Sequence, residues 1–540
     1  MVWAVGTVPR NRHNGKVQFH SFCMDQFSTR PSRKSNADRA GRRIYDLLRS
    51  QIADGTLAAG AQVPSTRALA SDLGVSRTTV TAAYEQLAAE GFLATSVGRV
   101  ARVASPLAAP ERPDTRPKQR GRTAPTLSAF GCRVAAVDMP GLAPVEPCRI
   151  DFLYGAVASR DFPALAWRRA YQAELLRHQR RLYYVAPEGD ASLRRSLQGY
   201  LRRARGLACD AEQILMVHGS QQAIDLCARL LLNPGDAFVF EEPGYLMARR
   251  CFEATGAEPL AIPVDAQGLD TAMLPNDDRT RLAYVTPSHQ FPLGGVLPIG
   301  RRLELLRWAR THCAWVVEDD YDGEFRYGQR PIDALQSVDT DGRVIYVGTF
   351  SKALSPQLRL GYLVLPPELV PVFRQAKRLA DRHAPVLEQR VLASLIDSGA
   401  YERHVRRTRR EHERRRAALL EAIARHLPAS ATVIGAAAGL HVVLWLPFLR
   451  PQDEPALVAA ARGKGVGVYA VSPLFAKPSS RMQPRPAGLI LGYASLSVEE
   501  IDQGMRVLAA VIAARGAKPI ASVAKTKRAS AEAPGTASRG

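Results

Sequence analysis

The chain has 540 residues, too many for one ordinary domain, so two or three are expected. It is 46% hydrophobic and 23% charged, enough to bury large cores, yet no apolar run is long enough to span a bilayer. A net charge of +22 with a pI near 10.1 suits an anionic partner such as nucleic acid, although arginine-rich solvated helices supply part of it.

Seven cysteines at 23, 132, 148, 209, 227, 251 and 313 form no CxxC pair and no Cys/His cluster. Neither a metal site nor a disulfide framework is signalled, and a reduced cytoplasmic setting is expected. Residues 1–36 lack the apolar core of a signal peptide and read as a disordered extension, with Met24 as an alternative start.

Folded sequence is expected from Ala37. RAGRRIYDLLRSQIADG (39–55) puts Ile44, Leu47, Leu48 and Ile52 at helical spacing and stops at Gly55. Ser65 then caps a short helix carrying Leu69, Ala70 and Leu73. Gly74 makes the turn, and Ser76 caps a second helix with Val80, Ala83, Tyr84 and Leu87 inward. GFLATSVGRVARV (91–103) reads as two short strands around Gly98. Residues 37–103 resemble the winged helix-turn-helix of GntR-type transcriptional regulators. The resemblance implies that Arg67, Ser76, Arg77, Thr78, Thr79 and Thr81 face double-stranded operator DNA, with Arg99 contacting it from the wing. Hydroxyls, a guanidinium and free N–H groups in the first turn of a helix can meet phosphates and base edges. The wing departs from the family's Gly-Ser-Gly tip, having Ser96-Val97-Gly98-Arg99 instead.

Residues 104–126 are rich in Pro, Ala and Arg without apolar periodicity, and a linker is expected over 104–149. A second domain is expected over 150–514, opening with amphipathic helices at 161–177 and within 181–206. VHGSQQAID (217–225) reads as a strand end running into a helix, whose unpaired N–H groups at Gly219, Ser220 and Gln221 suit a phosphate. WVVEDDYDGEFRY (315–327) is a buried strand ending in Glu318, Asp319 and Asp320, at the end of a strand where ligands bind in open α/β sheets. VIYVGTFSKALSPQLRLGYLVLP (344–366) sets Lys352 in a polar loop between two apolar runs. A lysine there is either a surface loop residue or one whose amine is used.

With EEPGY at 241–245, the order of these motifs resembles fold-type-I aminotransferases that bind pyridoxal 5′-phosphate (PLP), from about Asp151 to Ala513. The resemblance implies an α/β large domain, a mostly parallel sheet with helices on both faces, and a small C-terminal α/β subdomain. It implies Lys352 as the Schiff-base lysine, Asp319 at the pyridine nitrogen, Tyr321 at the phenolic oxygen and Tyr245 stacked on the ring. Gly219, Ser220, Gln221, Thr349, Ser351 and Arg359 would hold the phosphate, and Tyr184 would cross to the neighbouring subunit's phosphate. Two positions depart from the enzymes. Phe291 stands where they have an asparagine, leaving His289 or Gln290 as substitutes, and the carboxylate-binding arginine falls at Leu489 or Ile490. Arg481 and Arg485 lie close in sequence but do not match. VRRTRREHERRR (405–416) reads as a solvated helix face or a DNA-tracking one, and 515–540 as a disordered tail.

A winged helix-turn-helix fused to a PLP fold resembles the MocR branch of the GntR regulators. That implies a homodimeric regulator that senses PLP or an amino compound such as GABA, taurine, a D-amino acid or a polyamine. An active aminotransferase with an accessory DNA-binding head is the alternative.

Overall fold

Two serine caps set the first part of the chain. In the computed structural model, which describes residues 33–96, 99–104, 126–139, 148–178, 183–328, 332–476 and 485–516, the chain divides into units 1–125 and 126–540. The first unit contains α1 (Arg33–Ala53), α2 (Thr66–Asp72), α3 (Arg77–Ala89), β1 (Leu93–Ala94) and β2 (Arg102–Val103). Ser65 Oγ accepts from Ala68 N at 3.1 Å and Ser76 Oγ from Thr79 N at 3.2 Å, so each helix starts where its cap is. Gly74, at φ +63°, turns the chain between them. Ile44, Leu48, Ile52, Leu69, Val80 and Leu87 form the core, and Tyr84 donates to the Pro64 carbonyl at 2.8 Å. Leu47, expected inward, is instead exposed. β1 and β2 pair antiparallel with Leu93 opposite Val103, as expected for a wing whose tip, 97–98, lies outside the described residues. α1 begins before Ala37, because neither glycine nor proline interrupts 33–40.

The span read as linker contains a helix, α4 (Ala129–Ala136), capped by Ser128, whose Oγ accepts from Gly131 N. Arg133 Nε donates to the Ala254 carbonyl at 2.9 Å. The rest of the linker reading (105–125, 140–147), most of 1–36 and the tail from 517 lie outside the described residues.

The second unit continues with β3 (Ile150–Asp151), α5 (Ala164–Leu176), α6 (Ala191–Arg205), β4 (Ile214–Val217), α7 (Gly219–Leu231), β5 (Ala237–Glu242), α8 (Leu246–Glu253), β6 (Glu258–Asp265), β7 (Gly268–Leu269), β8 (Thr280–Val285), α9 (Ile299–Thr311), β9 (Trp315–Asp320), β10 (Val344–Thr349), β11 (Gly361–Val364), α10 (Val370–Asp381), α11 (Val386–Asp397) and α12 (Ala400–His426). Eight strands form one sheet in the order β4-β11-β10-β9-β8-β5-β6-β7, with β10, β9, β8, β5 and β6 parallel and β11 and β7 antiparallel to their neighbours. Period-two alternation sends Leu363 to one apolar core and Tyr362 and Val364 to another, which is why the strands read as continuous apolar runs.

The chain closes with β12 (Thr432–Ile434), β13 (His441–Leu446), α13 (Glu454–Gly463), β14 (Val466–Gly467), β15 (Tyr469–Ala470), β16 (Ala487–Gly492) and α14 (Val498–Gly516). A smaller antiparallel sheet runs β12-β13-β16-β15, while β14 pairs with β3.

Candidate cofactor site and DNA-reading helix

Sheet order brings the motifs to one edge. β9 and β10 run parallel with Val347 opposite Asp319, so their C-terminal ends release Asp319–Asp322 and Thr349–Lys352 side by side. β11 returns between β10 and β4, with Gly361 opposite both Thr349 and Val217. Arg359 is thereby set at the start of α7, at the edge where open α/β sheets bind ligands.

Strand alternation sorts the three acids of β9. Glu318 accepts from the backbone N–H groups of Leu335 (2.7 Å) and Gln336 (2.9 Å). Asp320 is tied to Arg205 Nε at 2.6 Å and accepts from Tyr346 Oη at 2.5 Å. Only Asp319 of the three lines the cavity, which has a volume of about 280 Å³ and which Asp322, beyond the strand, also lines.

Lys352 Nζ donates to the Gly155 carbonyl at 2.8 Å. Burial pushes its amine below the ordinary lysine value, while the carboxylates of Asp322 and Asp319 pull the other way. Asp319 Oδ2 accepts from Tyr284 Oη at 2.5 Å, but its buried Oδ1 has no hydrogen-bond partner among the described residues. Burial pushes this carboxyl up to about 7, against the Tyr284 hydrogen bond. Tyr321 Oη lies 2.8 Å from His289 Nδ1, which is 2.9 Å from Asp322 Oδ2. Of the two candidates for the asparagine's place, His289 contacts Tyr321 through Nδ1. Gln290 Nε2 is committed to the carbonyls of Pro243 and Phe291. Phe291 lines the cavity, its ring centroid 5.8 Å from Tyr154, 5.9 Å from Tyr245 and 5.5 Å from His441.

At the other end, α7 begins at Gly219 with no side-chain cap among the described residues, so its first N–H groups are free to meet an anion. Gly219 has φ +73°, and a Cβ there would sit 3.0 Å from the Arg359 guanidinium, so only glycine leaves this seat open. Arg359 Nη2 donates to the His218 carbonyl at 2.7 Å, and Thr349 Oγ1 donates to Ser351 Oγ at 2.9 Å. Ser220, Gln221, Thr349, Ser351 and Arg359 line the cavity together. Tyr184 does not; it is exposed, with Arg382 4.7 Å over its ring. Tyr154, Gly155, Tyr284, Asp322 and His441 line the cavity without having been singled out from sequence. The one local signal was Asp322, within the acidic run itself.

In the first unit, Arg67, Arg77 and Thr78 are exposed, as is Arg99 beside the wing tip. Ser76 Oγ lies 2.8 Å from Thr78 Oγ1 and 2.8 Å from Thr79 Oγ1, a hydroxyl cluster at the start of α3. Thr81 differs from expectation: its hydroxyl donates to the Arg77 carbonyl at 2.9 Å, which leaves the oxygen's remaining lone pairs for any other contact.

An unpartnered buried carboxylate oxygen, a half-buried lysine and an open anion seat fit PLP, with its ring nitrogen, aldehyde and phosphate. Residues 155–503 match the aminotransferase class I and II family and residues 40–103 the gntR family of bacterial regulatory proteins. The two units are a GntR-type helix-turn-helix and a fold-type-I, aminotransferase-like PLP-binding domain. A solved α-aminoadipate aminotransferase, LysN of Thermus thermophilus, complexed with N-(5′-phosphopyridoxyl)-L-leucine, is 29% identical with a TM-score of 0.64, covering 72% of this chain and 99% of that one. The kynurenine aminotransferase of Pyrococcus horikoshii is 28% identical with a TM-score of 0.63, covering 71% and 96%.

Among curated proteins, "Probable rhizopine catabolism regulatory protein MocR" of Rhizobium meliloti is 37% identical over 471 residues, 86% of this chain and 92% of that protein. The pyridoxine biosynthesis transcriptional regulator PdxR of Corynebacterium glutamicum is 32% identical over 423 residues, 78% and 86%. The chain belongs to the MocR-type branch of the GntR family of transcriptional regulators.

Proposed function

We propose that this protein is a homodimeric, cytoplasmic regulator that binds operator DNA through α3 and the wing and senses PLP, or an amino compound, through a Schiff base at Lys352. The observation that carries this reading is Lys352, lining one cavity with the open Oδ1 of Asp319, on the same chain as a serine-capped reading helix.

PLP supplies an aldehyde that condenses with amines and a ring that withdraws electrons when its nitrogen is protonated. Burial disfavours the charge on Lys352, which eases loss of the proton its amine must shed to react. Asp319 Oδ1 would accept a hydrogen bond from the ring N–H and so keep that nitrogen protonated, and Tyr284 fixes the carboxyl's orientation. Tyr321, steadied by His289, donates to the phenolic oxygen. Arg359, the α7 N-terminus and the hydroxyls of Ser220, Thr349 and Ser351 would hold the phosphate, and Tyr245 would offer its ring to the cofactor's. Tyr184, exposed on its own chain, reaches the partner's phosphate. Domain limits of 37–103 and 150–514 belong to the same proposal, with the first extended by the start of α1. A ligand bound more tightly by one domain arrangement than another shifts that equilibrium and with it DNA affinity.

The complete Lys352, Asp319, Tyr321 and Arg359 set keeps an active aminotransferase as the second reading. The test is a DNA titration on the region upstream of the gene, with and without PLP, at two salt concentrations. Specific binding that changes with PLP, and a change that vanishes in Lys352→Ala, is expected. Binding that is only salt-sensitive would be charge finding a polyanion. Steady turnover of an amino donor without PLP-dependent DNA binding would instead favour the enzyme.

A further inference from the structure

Beyond the groups assigned to the cofactor, the cavity lining includes Tyr154, Thr286, Phe291, Asp322, Leu440 and His441. Among its described lining residues only Lys352 and Arg359 are cations, and both have roles toward the cofactor. Ile490, where the aminotransferase resemblance leads to a carboxylate-binding arginine, is buried with Phe291, Val443, Val471 and Leu474. Arg485 is turned elsewhere, 3.9 Å over the Phe475 ring and donating to Ser472 Oγ at 3.0 Å. A ligand carboxylate in this cavity would be desolvated against apolar side chains and Asp322, with no guanidinium among the described residues beyond Arg359 to receive it, Arg481 lying outside the described residues.

Of the remaining polar groups, Asp322 and His441 accept, the Tyr154 hydroxyl can do either, and Thr286 Oγ1 is spent donating to Glu241 Oε2 at 2.5 Å. Asp322, whose Oδ2 lies 2.9 Å from His289 Nδ1, is near enough to Lys352 to favour charge on its amine. His441 Nε2 lies 3.1 Å from the Pro292 carbonyl, which can only accept, so Nε2 carries the ring proton. Burial pushes that imidazole down to about 4, so it stays neutral and Nδ1 presents a lone pair.

We propose that the effector is a primary amine whose far end is a hydrogen-bond donor, a hydroxyl or a second ammonium, and which carries no carboxylate. Asp322 and His441 select it. This rests on the sensor reading above and names the chemistry that the reading leaves open.

The full-length protein is loaded with PLP, its visible absorbance band is recorded, and propanolamine, diaminopropane and β-alanine are titrated in by calorimetry. These amines share a carbon skeleton and differ only at the far end. At least one of the first two is expected to bind about tenfold or more tighter than β-alanine, and their order separates hydroxyl from ammonium. β-Alanine binding as well as or better than both, or none binding to protein that shows the band, overturns the proposal. A missing band with PLP in excess is failure of the sensor reading, and the proposal falls with it. Selection is then read as an affinity ratio within each loaded variant. His441→Phe is expected to lose the preference and His441→Gln, which keeps an acceptor, to retain it, while Asp322→Asn loses it too. An unchanged ratio in both His441→Phe and Asp322→Asn removes these residues from selection and overturns the assignment.

Discussion

Lys352 is held short of its ordinary protonation by burial, and that gives its chemistry a direction in pH. Its neutral fraction grows as pH rises through a value lower than that of a free lysine, so PLP incorporation, followed by absorbance, is expected to speed up with pH. Asp322→Asn removes a counter-charge and moves that profile to lower pH; an unmoved profile would disconnect the two groups. Asp319 carries the opposite sign. Its carboxyl titrates near 7 in the fold against an ordinary 3.8, so the fold favours the protonated form. That contribution is complete below the ordinary value and is lost as pH rises through about 7. The cofactor-free protein should therefore lose unfolding temperature between about pH 4 and about pH 7, and Asp319→Asn should lose less. Burial pushes Glu241, Glu318 and Glu324 up to about 7 as well, so part of the loss remains in the variant, and an equal loss in both would show that Asp319 contributes none of it. Lys352, Asp319 and Arg359 were legible in sequence because each sits beside its strand in a local motif. Tyr284, Gly155 and His441 were not, since strand register and chain return alone bring them in.

Helix starts carry much of the function. At α7, Gly219→Ala would put a methyl 3.0 Å from the Arg359 guanidinium on a left-handed backbone, a strain of about 1–2 kcal/mol before any displacement. PLP affinity is expected to fall about tenfold or more by fluorescence titration, and unchanged affinity would move the phosphate elsewhere. At α3, Ser76→Ala removes the acceptor for Thr79 N and should cost the first unit about 1 kcal/mol in denaturant unfolding. Arg77→Ala should leave that stability alone and weaken specific DNA binding by about 1–3 kcal/mol. Equal effects of both variants on folding would deny the division of labour. Caps and turns were readable here because serine and glycine act locally. The basic run of α12 was readable only in part. Arg406 and Arg410 do face solvent, but His404, Thr408, His412 and Arg415 follow the helical repeat inward. Arg415, almost fully buried, binds Asp161 at 2.6 Å, a partner that no spacing rule supplies.

For the whole molecule, two units with separate cores should respond separately to ligand. PLP at a hundred times its Kd is expected to add about 2.7 kcal/mol to the unit holding Lys352, by mass action. In calorimetry, the transition assigned to 126–540 should rise and that of 1–125 should stay, and a rise in both would mean that the units unfold as one. The two-unit plan was legible because the motifs come in order, each embedded in its own periodicity. Helix α4 was not, because Pro and Arg dominate the composition just before it. It lies on a stretch of chain moored at two points, Arg133 on the Ala254 carbonyl and Ile150–Asp151 along Val466–Gly467. The first mooring belongs to the large sheet's side and the second to the small sheet's. From Met139 to Cys148 the covalent chain can reach on the order of 30 Å and no further. The two moorings differ in kind, a side chain on a turn and a strand in a ladder, so Arg133→Ala would unseat α4 while leaving the β3–β14 pairing in place.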